Sequence, residues 1–189
     1  INKIKAVLCV MDFAFIGGSM GQNETEAFIY AVQESINKKI PLVAFASGGG
    51  QRLHESPIAL MGMTKTTLAV NELKMIHKIP YIVVFVSPCA GGITASWASL
   101  SDISISEPGA TVAFAGRRVI ENSVRETLPE NFQTAETLRG FIDIIVERKD
   151  ISTQVEKLLK ILLKKHVSES SFQIENSTEN TRTVETIAS

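Results

Sequence analysis

The sequence predicts an α/β fold with a parallel sheet, because a buried strand, a glycine loop and a helix follow one another three times. The strands are continuous apolar runs rather than alternating ones, which is typical of strands covered on both faces. The unit returns at a spacing of roughly 40 residues, but the copies share little sequence, so the pattern does not predict a solenoid.

The first unit opens with an apolar, partly β-branched run at residues 4–11, which predicts a buried strand. The glycine-rich segment 13–21 predicts a loop. Apolar residues at helical spacing, including Phe28 and Val32, then predict a helix over 24–37.

The second and third units repeat this order. The second has a strand at 41–46, a loop at Ser47–Gly50 and a helix from about Pro57 to Ile76, with Ser56 as the expected N-cap. The third has a strand at 80–86, a loop at 89–92 and a closely packed helix of small residues over 94–100.

Beyond the repeats the pattern is shorter and more varied. We expect strands at 102–107, 111–115 and 142–146 and helices over 118–127, from 134 toward Leu138, and over 151–166. The polar segment 168–189 predicts a disordered tail, which leaves residues 1–167 as the folded domain.

Composition excludes several classes of protein. A net charge of −1 over 189 residues argues against binding to nucleic acid or to an anionic membrane through overall charge. Two cysteines, Cys9 and Cys89, cannot form a disulfide framework or a four-cysteine zinc site, and they fit a reducing compartment. The longest apolar runs, such as 81–86, are far shorter than the roughly 20 residues that span a bilayer.

The glycine loops are the candidate site, since glycine lets backbone N–H groups approach a ligand closely. Their alternative role is as tight turns between packed elements. Neither phosphate-loop glycine motif and no nucleophile elbow occurs, and Ser47 has no base placed beside it by sequence. His54, His77 and His166 are most simply surface residues. Many amide donors without an acid–base set favour chemistry by oxyanion stabilisation, such as forming the enolate of a thioester.

Specific strings then resemble the carboxyltransferase β subunit of bacterial and plastid acetyl-CoA carboxylase. The resemblance covers about Ala6 to Val146, and its strings occur in the family's order. They are Val10–Gly21, Ala46–Gly49, Leu60–Thr66, Gly91–Ser96, Asp102–Glu107, Pro108–Gly109, Phe114–Gly116, Arg118–Glu121 and Phe132–Glu136.

The resemblance implies a crotonase-like (ClpP/crotonase) spiral of repeated ββα units, in agreement with the repeats above. It also implies transfer of a carboxyl group from carboxybiotin to acetyl-CoA, which gives malonyl-CoA for fatty acid synthesis. Biotin would arrive on a separate biotin carboxyl carrier protein and would accept the proton itself. The implied partners are a carboxyltransferase α subunit, in an α2β2 assembly, and biotin carboxylase, in bacterial cytoplasm or alternatively in plastid stroma.

By position, the resemblance implies that backbone amides of two diglycines, or of their immediate neighbours, form the oxyanion hole. These are the catalytic candidates Gly48, Gly49, Gly91 and Gly92. The implied substrate-binding residues are Ser47, Phe114, Ala115, Gly116 and Arg118, and a structural ion pair is an equal alternative for Arg118.

The sequence departs from the family at several points. Arg117 replaces a usual proline, Ser56–Pro57 replaces a more usual glycine, and His54 replaces a non-titratable residue. The family's four-cysteine zinc ribbon is absent, so we expect zinc only before Ile1 and an N-terminally incomplete carboxyltransferase domain. The opening strand and loop that help hold the CoA adenine are expected to be cut as well.

Two other functions stay open. An enoyl-CoA hydratase or isomerase of the same fold would use a carboxylate near the glycine loops, for which Glu55 is the candidate. A non-catalytic CoA-binding or assembly subunit is the other alternative.

Overall fold

The computed structural model describes residues 1 and 3–163, and its central feature is a five-stranded parallel sheet in the order β1-β2-β3-β4-β5. The strands are β1 (Val7–Val10), β2 (Leu42–Gly48), β3 (Tyr81–Cys89), β4 (Ile103–Ser106) and β5 (Ile144–Ile145). The helices are α1 (Gln22–Lys38), α2 (Ser56–Asn71), α3 (Arg117–Val124) and α4 (151–163), and a π-helical turn (Glu72–Ile76) extends α2.

Both faces of the sheet are covered, as the apolar strands predict. In β2, Leu42 and Ala44 pack with α1 and α2 in one core cluster, while Val43 between them packs with α4 in the other. The first cluster also contains Phe28 and Trp97, whose ring centroids lie 4.6 Å apart. Burial of the central strands explains their continuous Val, Ile and Phe content.

The topology brings the glycine loops together. Strands that are neighbours in sequence are neighbours in the sheet and run parallel, so their carboxyl ends lie at one edge. Ligands of open parallel sheets bind at this edge. The loops after β1, β2 and β3 are the three glycine loops of the sequence.

Three predicted elements are wrong. The predicted helix over 94–100 is a series of turns ending in a 3-10 helix (Ala98–Leu100), because its backbone bonds are irregular: the Ile93 carbonyl accepts from the N–H of Ser96, three residues later, and from that of Ala98, five residues later. The predicted strand over 111–115 makes only isolated bridges, and the predicted helix from residue 134 is a run of turns.

The last two errors have one physical cause. The N–H of Val112 donates to the Gln133 carbonyl and that of Ala135 to the Ala110 carbonyl, so the two segments bond to each other. The predicted strands and helices elsewhere are confirmed with shifted ends. The last three residues of the predicted helix over 151–166 and the predicted tail over 168–189 lie outside the described residues.

Candidate active site

Three hydrogen bonds join the glycine loops directly. The N–H of Gly49 donates to the Gly17 carbonyl at 3.0 Å, and the N–H of Met20 donates to the Gly50 carbonyl at 2.9 Å. The N–H of Ala90 donates to the Gly48 carbonyl, also at 2.9 Å. The loop after β2 is therefore held between the loops after β1 and β3.

The close approach of these backbones requires glycine. A Cβ on Gly48 would lie 2.1 Å from the carbonyl oxygen of Gly18, a distance that no side-chain movement can relieve. Gly50 has φ +116°, a conformation that residues with a Cβ rarely adopt, and a Cβ there would lie 3.2 Å from Gly91 Cα. The diglycines thus pack against each other as well as turn the chain.

The hydrogen bonds decide which amides can serve a ligand. The N–H of Gly49 is engaged by Gly17, and that of Gly91 donates to the Phe114 carbonyl at 2.9 Å. Among the described residues, no protein acceptor takes the N–H of Gly50 or of Gly92. These two groups lie on facing loops, since a Cβ on Gly50 would be 3.4 Å from the nitrogen of Gly92.

Two backbone N–H groups that lack a protein acceptor in the described part of the chain and lie on facing loops can donate hydrogen bonds to a ligand. Fixed N–H dipoles stabilise negative charge that develops on an oxygen placed between them, without reorganisation during the reaction. Of the predicted donors, Gly49 and Gly91 are occupied in this structure, whereas Gly92 is available, together with Gly50, the immediate neighbour of Gly49.

The predicted substrate-binding residues differ in whether their groups are free to contact a ligand. Ser47 is buried, and its Oγ donates to the Pro88 carbonyl at 3.4 Å, as expected of a structural hydroxyl. Phe114 has 69% of its side chain exposed next to the third glycine loop. The Ala115 carbonyl accepts from Gln133, and Gly116 caps α3. Arg118 lies in α3, and its side chain is outside what the structure describes.

A partly buried ion-pair cluster lies beside the first two loops, and most of it was not predicted from the sequence. Arg52 is 9% exposed and contacts Glu24 at 2.7 Å and Glu55 at 2.9 Å. Its Nη2 also donates to the Ser19 carbonyl at 2.9 Å. An arginine two residues after a glycine loop was the available signal.

The charges of this cluster stabilise one another. Burial acts to raise the pKa of Glu24, but hydrogen bonds from Arg52 and from the N–H groups of Glu24 and Gly21, with the charge of Arg52, outweigh it and lower the pKa. The hydrogen bond to Glu24 is the main cause of the raised pKa of Arg52. Arg52 and Glu24 therefore stay ionised near neutral pH.

No described side chain near the donors is placed as a general base. Both oxygens of Glu55 are engaged, Oε1 by Arg52 and Oε2 by the N–H of Gln22 at 2.6 Å. His54 is exposed. Burial raises the pKa of Cys9 and of Cys89 to about 11, so both thiols are protonated at neutral pH.

The first glycine loop also borders a largely apolar pocket of about 290 Å³. The wall of this pocket includes Phe15, Met20, Phe28 and Trp97, together with the carboxylate-bearing Glu24.

Within residues 1 and 3–163, no group of three or more His, Cys, Asp or Glu side chains could hold a metal ion. In the same part of the chain, no helix has the length and apolar character needed to cross a membrane.

Comparison with known sequences identifies the family of this chain. Residues 4–186 match the carboxyl transferase domain. The chain belongs to the carboxyl transferase domain family. It is 52% identical over 179 residues to the acetyl-coenzyme A carboxylase carboxyl transferase subunit beta of Pelagibacter ubique, covering 94% of this chain and 58% of that relative. The same subunit of Bartonella tribocorum is 47% identical over 167 residues, covering 87% and 54%. The chain thus spans little more than half the length of these relatives.

Solved structures confirm the crotonase-like carboxyltransferase fold. The transcarboxylase 12S chain has a TM-score of 0.70 at 26% identity, covering 78% of this chain and 29% of that one. A Pseudomonas malonate decarboxylase hetero-dimer chain has a TM-score of 0.73 at 22% identity, covering 86% and 73%. The crotonase-like class predicted from sequence is correct.

Proposed function

We propose that this chain forms the acetyl-CoA side of a carboxyltransferase that converts acetyl-CoA to malonyl-CoA for fatty acid synthesis. The observation that carries the proposal is the pair of unengaged N–H groups, Gly50 and Gly92, on facing glycine loops of a carboxyl transferase domain. The curated relatives carry the name of the β subunit of acetyl-CoA carboxylase.

The two donors meet the main electrostatic demand of this reaction. Removing a proton from the methyl group of a thioester places negative charge on the thioester oxygen, and N–H donors stabilise that charge. Loss of one such donor costs on the order of 10²–10³ in rate, about 2.7–4 kcal/mol. In this role Gly50 and Gly92 donate to the enolate oxygen, while Gly48, Gly49 and Gly91 hold the loops.

The residues present fit a cofactor that brings its own base. No described carboxylate, histidine or thiol stands free beside the donors, and the site therefore holds charge rather than transfers protons. Biotin, bound to a carrier protein, would supply the carboxyl group and, through its ureido group, the proton acceptor. This chain orients the acetyl group and stabilises its enolate.

The remaining substrate contacts form one rim of the site. Phe114, Ala115 and Gly116 lie on a segment tied to the third loop by the hydrogen bond between Gly91 and Phe114. Exposure of the Phe114 ring supports a contact with substrate or partner there. Ser47 supports the second loop through its hydrogen bond to the Pro88 carbonyl. Arg118 lies on α3, the helix that follows the rim.

The proposed partners are a carboxyltransferase α subunit in an α2β2 assembly, a biotin carboxyl carrier protein and biotin carboxylase. The β-subunit name of the relatives supports this, and the malonate decarboxylase neighbour is itself a hetero-dimer. The bacterial relatives support a cytoplasmic location, with plastid stroma as the alternative.

Glu55 argues against the hydratase alternative. A general base needs a free oxygen toward substrate, and both oxygens of Glu55 serve protein donors.

The test is malonyl-CoA formation by the full-length protein combined with its α subunit, acetyl-CoA and carboxybiotin. We expect malonyl-CoA only when both subunits are present. An active complex in which this chain is replaceable by a Gly50→Ala, Gly92→Ala variant would support the non-catalytic assembly role. Enoyl-CoA hydration without carboxybiotin, lost in Glu55→Gln, would support the hydratase alternative.

A further inference from the structure

We infer that Arg52 is a positioning residue for the oxyanion donors, and that it acts by fixing the first glycine loop against the second. The inference rests on the proposed role of Gly50 and goes beyond it, because Arg52 itself touches neither donor nor substrate. It follows from a continuous chain of hydrogen bonds that starts at the guanidinium and ends at the peptide groups on either side of the Gly49–Gly50 peptide.

The Gly49–Gly50 peptide carries the N–H of Gly50, and segment 17–20 binds the peptide groups on both sides of it. On one side, the N–H of Gly49 donates to the Gly17 carbonyl at 3.0 Å. On the other, the Gly50 carbonyl accepts from the N–H of Met20 at 2.9 Å. The direction in which the Gly50 N–H points therefore depends on where segment 17–20 lies.

Arg52 holds that segment on its far side. Its Nη2 donates to the Ser19 carbonyl at 2.9 Å, and its Nε donates to Ser19 Oγ at 3.3 Å. Its backbone N–H donates to the Met20 carbonyl at 2.8 Å. The Phe15 ring lies 5.8 Å from the guanidinium carbon, within reach of a cation–π contact.

Two carboxylates fix the guanidinium in turn. Glu24 accepts from Nη2 at 2.7 Å and also binds the N–H of Gly21 at 2.9 Å. Glu55 accepts from Nη1 at 2.9 Å and binds the N–H of Gln22 at 2.6 Å. Because both carboxylates also bind the start of α1, residues 19–22 are tied to Arg52 through three separate groups. A planar guanidinium can serve these acceptors at once, whereas a lysine ammonium cannot.

The test compares the full-length complex carrying Arg52→Lys with wild type in the malonyl-CoA assay. We expect kcat to fall at least tenfold while the KM for acetyl-CoA changes less than threefold, since a misdirected donor weakens transition-state stabilisation more than ground-state binding. Arg148→Lys is the matched control. It changes an exposed arginine that precedes α4, on the other face of the sheet, and pairs with Glu107; both constants should stay within twofold.

A purely structural role predicts a different result. The folded Arg52→Lys complex would then melt earlier but keep wild-type kcat, and this outcome overturns the inference, as does a loss carried by KM alone. If Arg52→Lys does not fold, Glu55→Gln decides. It keeps an oxygen for the Gln22 N–H but weakens the hold on Arg52, so kcat should fall at least threefold at unchanged KM, and unchanged kcat overturns the inference.

Amide hydrogen exchange separates this inference from the proposed function. If the wild-type complex forms no malonyl-CoA, the proposed function fails, but peptides covering 16–21 and 47–52 still report on positioning. In Arg52→Lys they should exchange at least tenfold faster than in wild type, while a peptide covering β4 stays unchanged. Unchanged exchange in 16–21 and 47–52 overturns the inference.

Discussion

Replacing Gly92 by alanine should disable one oxyanion donor without unfolding the protein. A Cβ at this position would lie 2.6 Å from Gln51 Cγ and 2.8 Å from Met63 Sδ. Met63 is flexible, but Gln51 Cγ is close to a backbone held in a bridge with Met20. Ordinary contact begins near 3.4 Å, so the contact with Gln51 Cγ is relieved by a displacement of about 0.8 Å, which we expect the Gly92 backbone to take up.

That displacement sets the expected magnitude. Effective donors lie about 2.7–3.1 Å from the oxyanion, so a shift of this size takes the Gly92 N–H out of range. We expect kcat for malonyl-CoA formation to fall by about 10²-fold, or about 2.7 kcal/mol, with a smaller change in KM. The assay is steady-state kinetics of the full-length complex with acetyl-CoA and carboxybiotin.

Gly62→Ala is the matched control, because its Cβ would meet Thr25 Oγ1 at 2.5 Å between α1 and α2, a comparable overlap away from the donors. This control should lower stability and leave kcat within about twofold. A Gly92→Ala complex with kcat within threefold of wild type would refute the assignment of Gly92. Equal losses of kcat in both variants would show that steric strain, and not the donor, is responsible.

Three further results are expected. Gly62→Ala should cost about 1–3 kcal/mol of unfolding free energy in urea, but little or nothing in a Thr25→Ala background, which removes the overlapping hydroxyl; equal cost in both backgrounds would contradict this. Since the folded-state pKa of Glu24 is lowered, its stabilisation is present at neutral pH and is lost as the pH falls through that pKa. The stability advantage of wild type over Glu24→Gln should therefore shrink below about pH 4.5, and a constant difference in urea titrations would be inconsistent with it. Cys9 and Cys89, with pKa raised to about 11, should resist iodoacetamide at pH 8 in the folded protein and react after unfolding, whereas rapid native labelling would contradict the raised pKa.

The repeating part of the fold could be predicted from sequence because its signals are local. Apolar runs, glycines and helical spacing each act over a few residues, and β2, β3 and α2 are found where these patterns place them. Segments 111–115 and 134–138 carry similar local patterns, yet their backbones bond to each other across more than 20 residues. Local patterns contain no information about such pairing.

The candidate site likewise combines features that local sequence predicts with features that depend on distant residues. The diglycines could be recognised in the sequence, but which amide of each is available depends on acceptors from other loops, Gly17 for Gly49 and Phe114 for Gly91. Arg52 was missed because its acceptors, such as Ser19, lie about 30 residues earlier in the chain. Only the folded structure brings a charged residue that follows a glycine loop into buried contact with acceptors from another loop.

The most direct test of the account is a structure of the full-length complex with a stable analogue of the acetyl-CoA enolate. The account predicts the enolate oxygen about 2.7–3.1 Å from the backbone nitrogens of Gly50 and Gly92, with Gly49 still bonded to Gly17. An enolate oxygen held by a side chain, or by amides elsewhere, would contradict it.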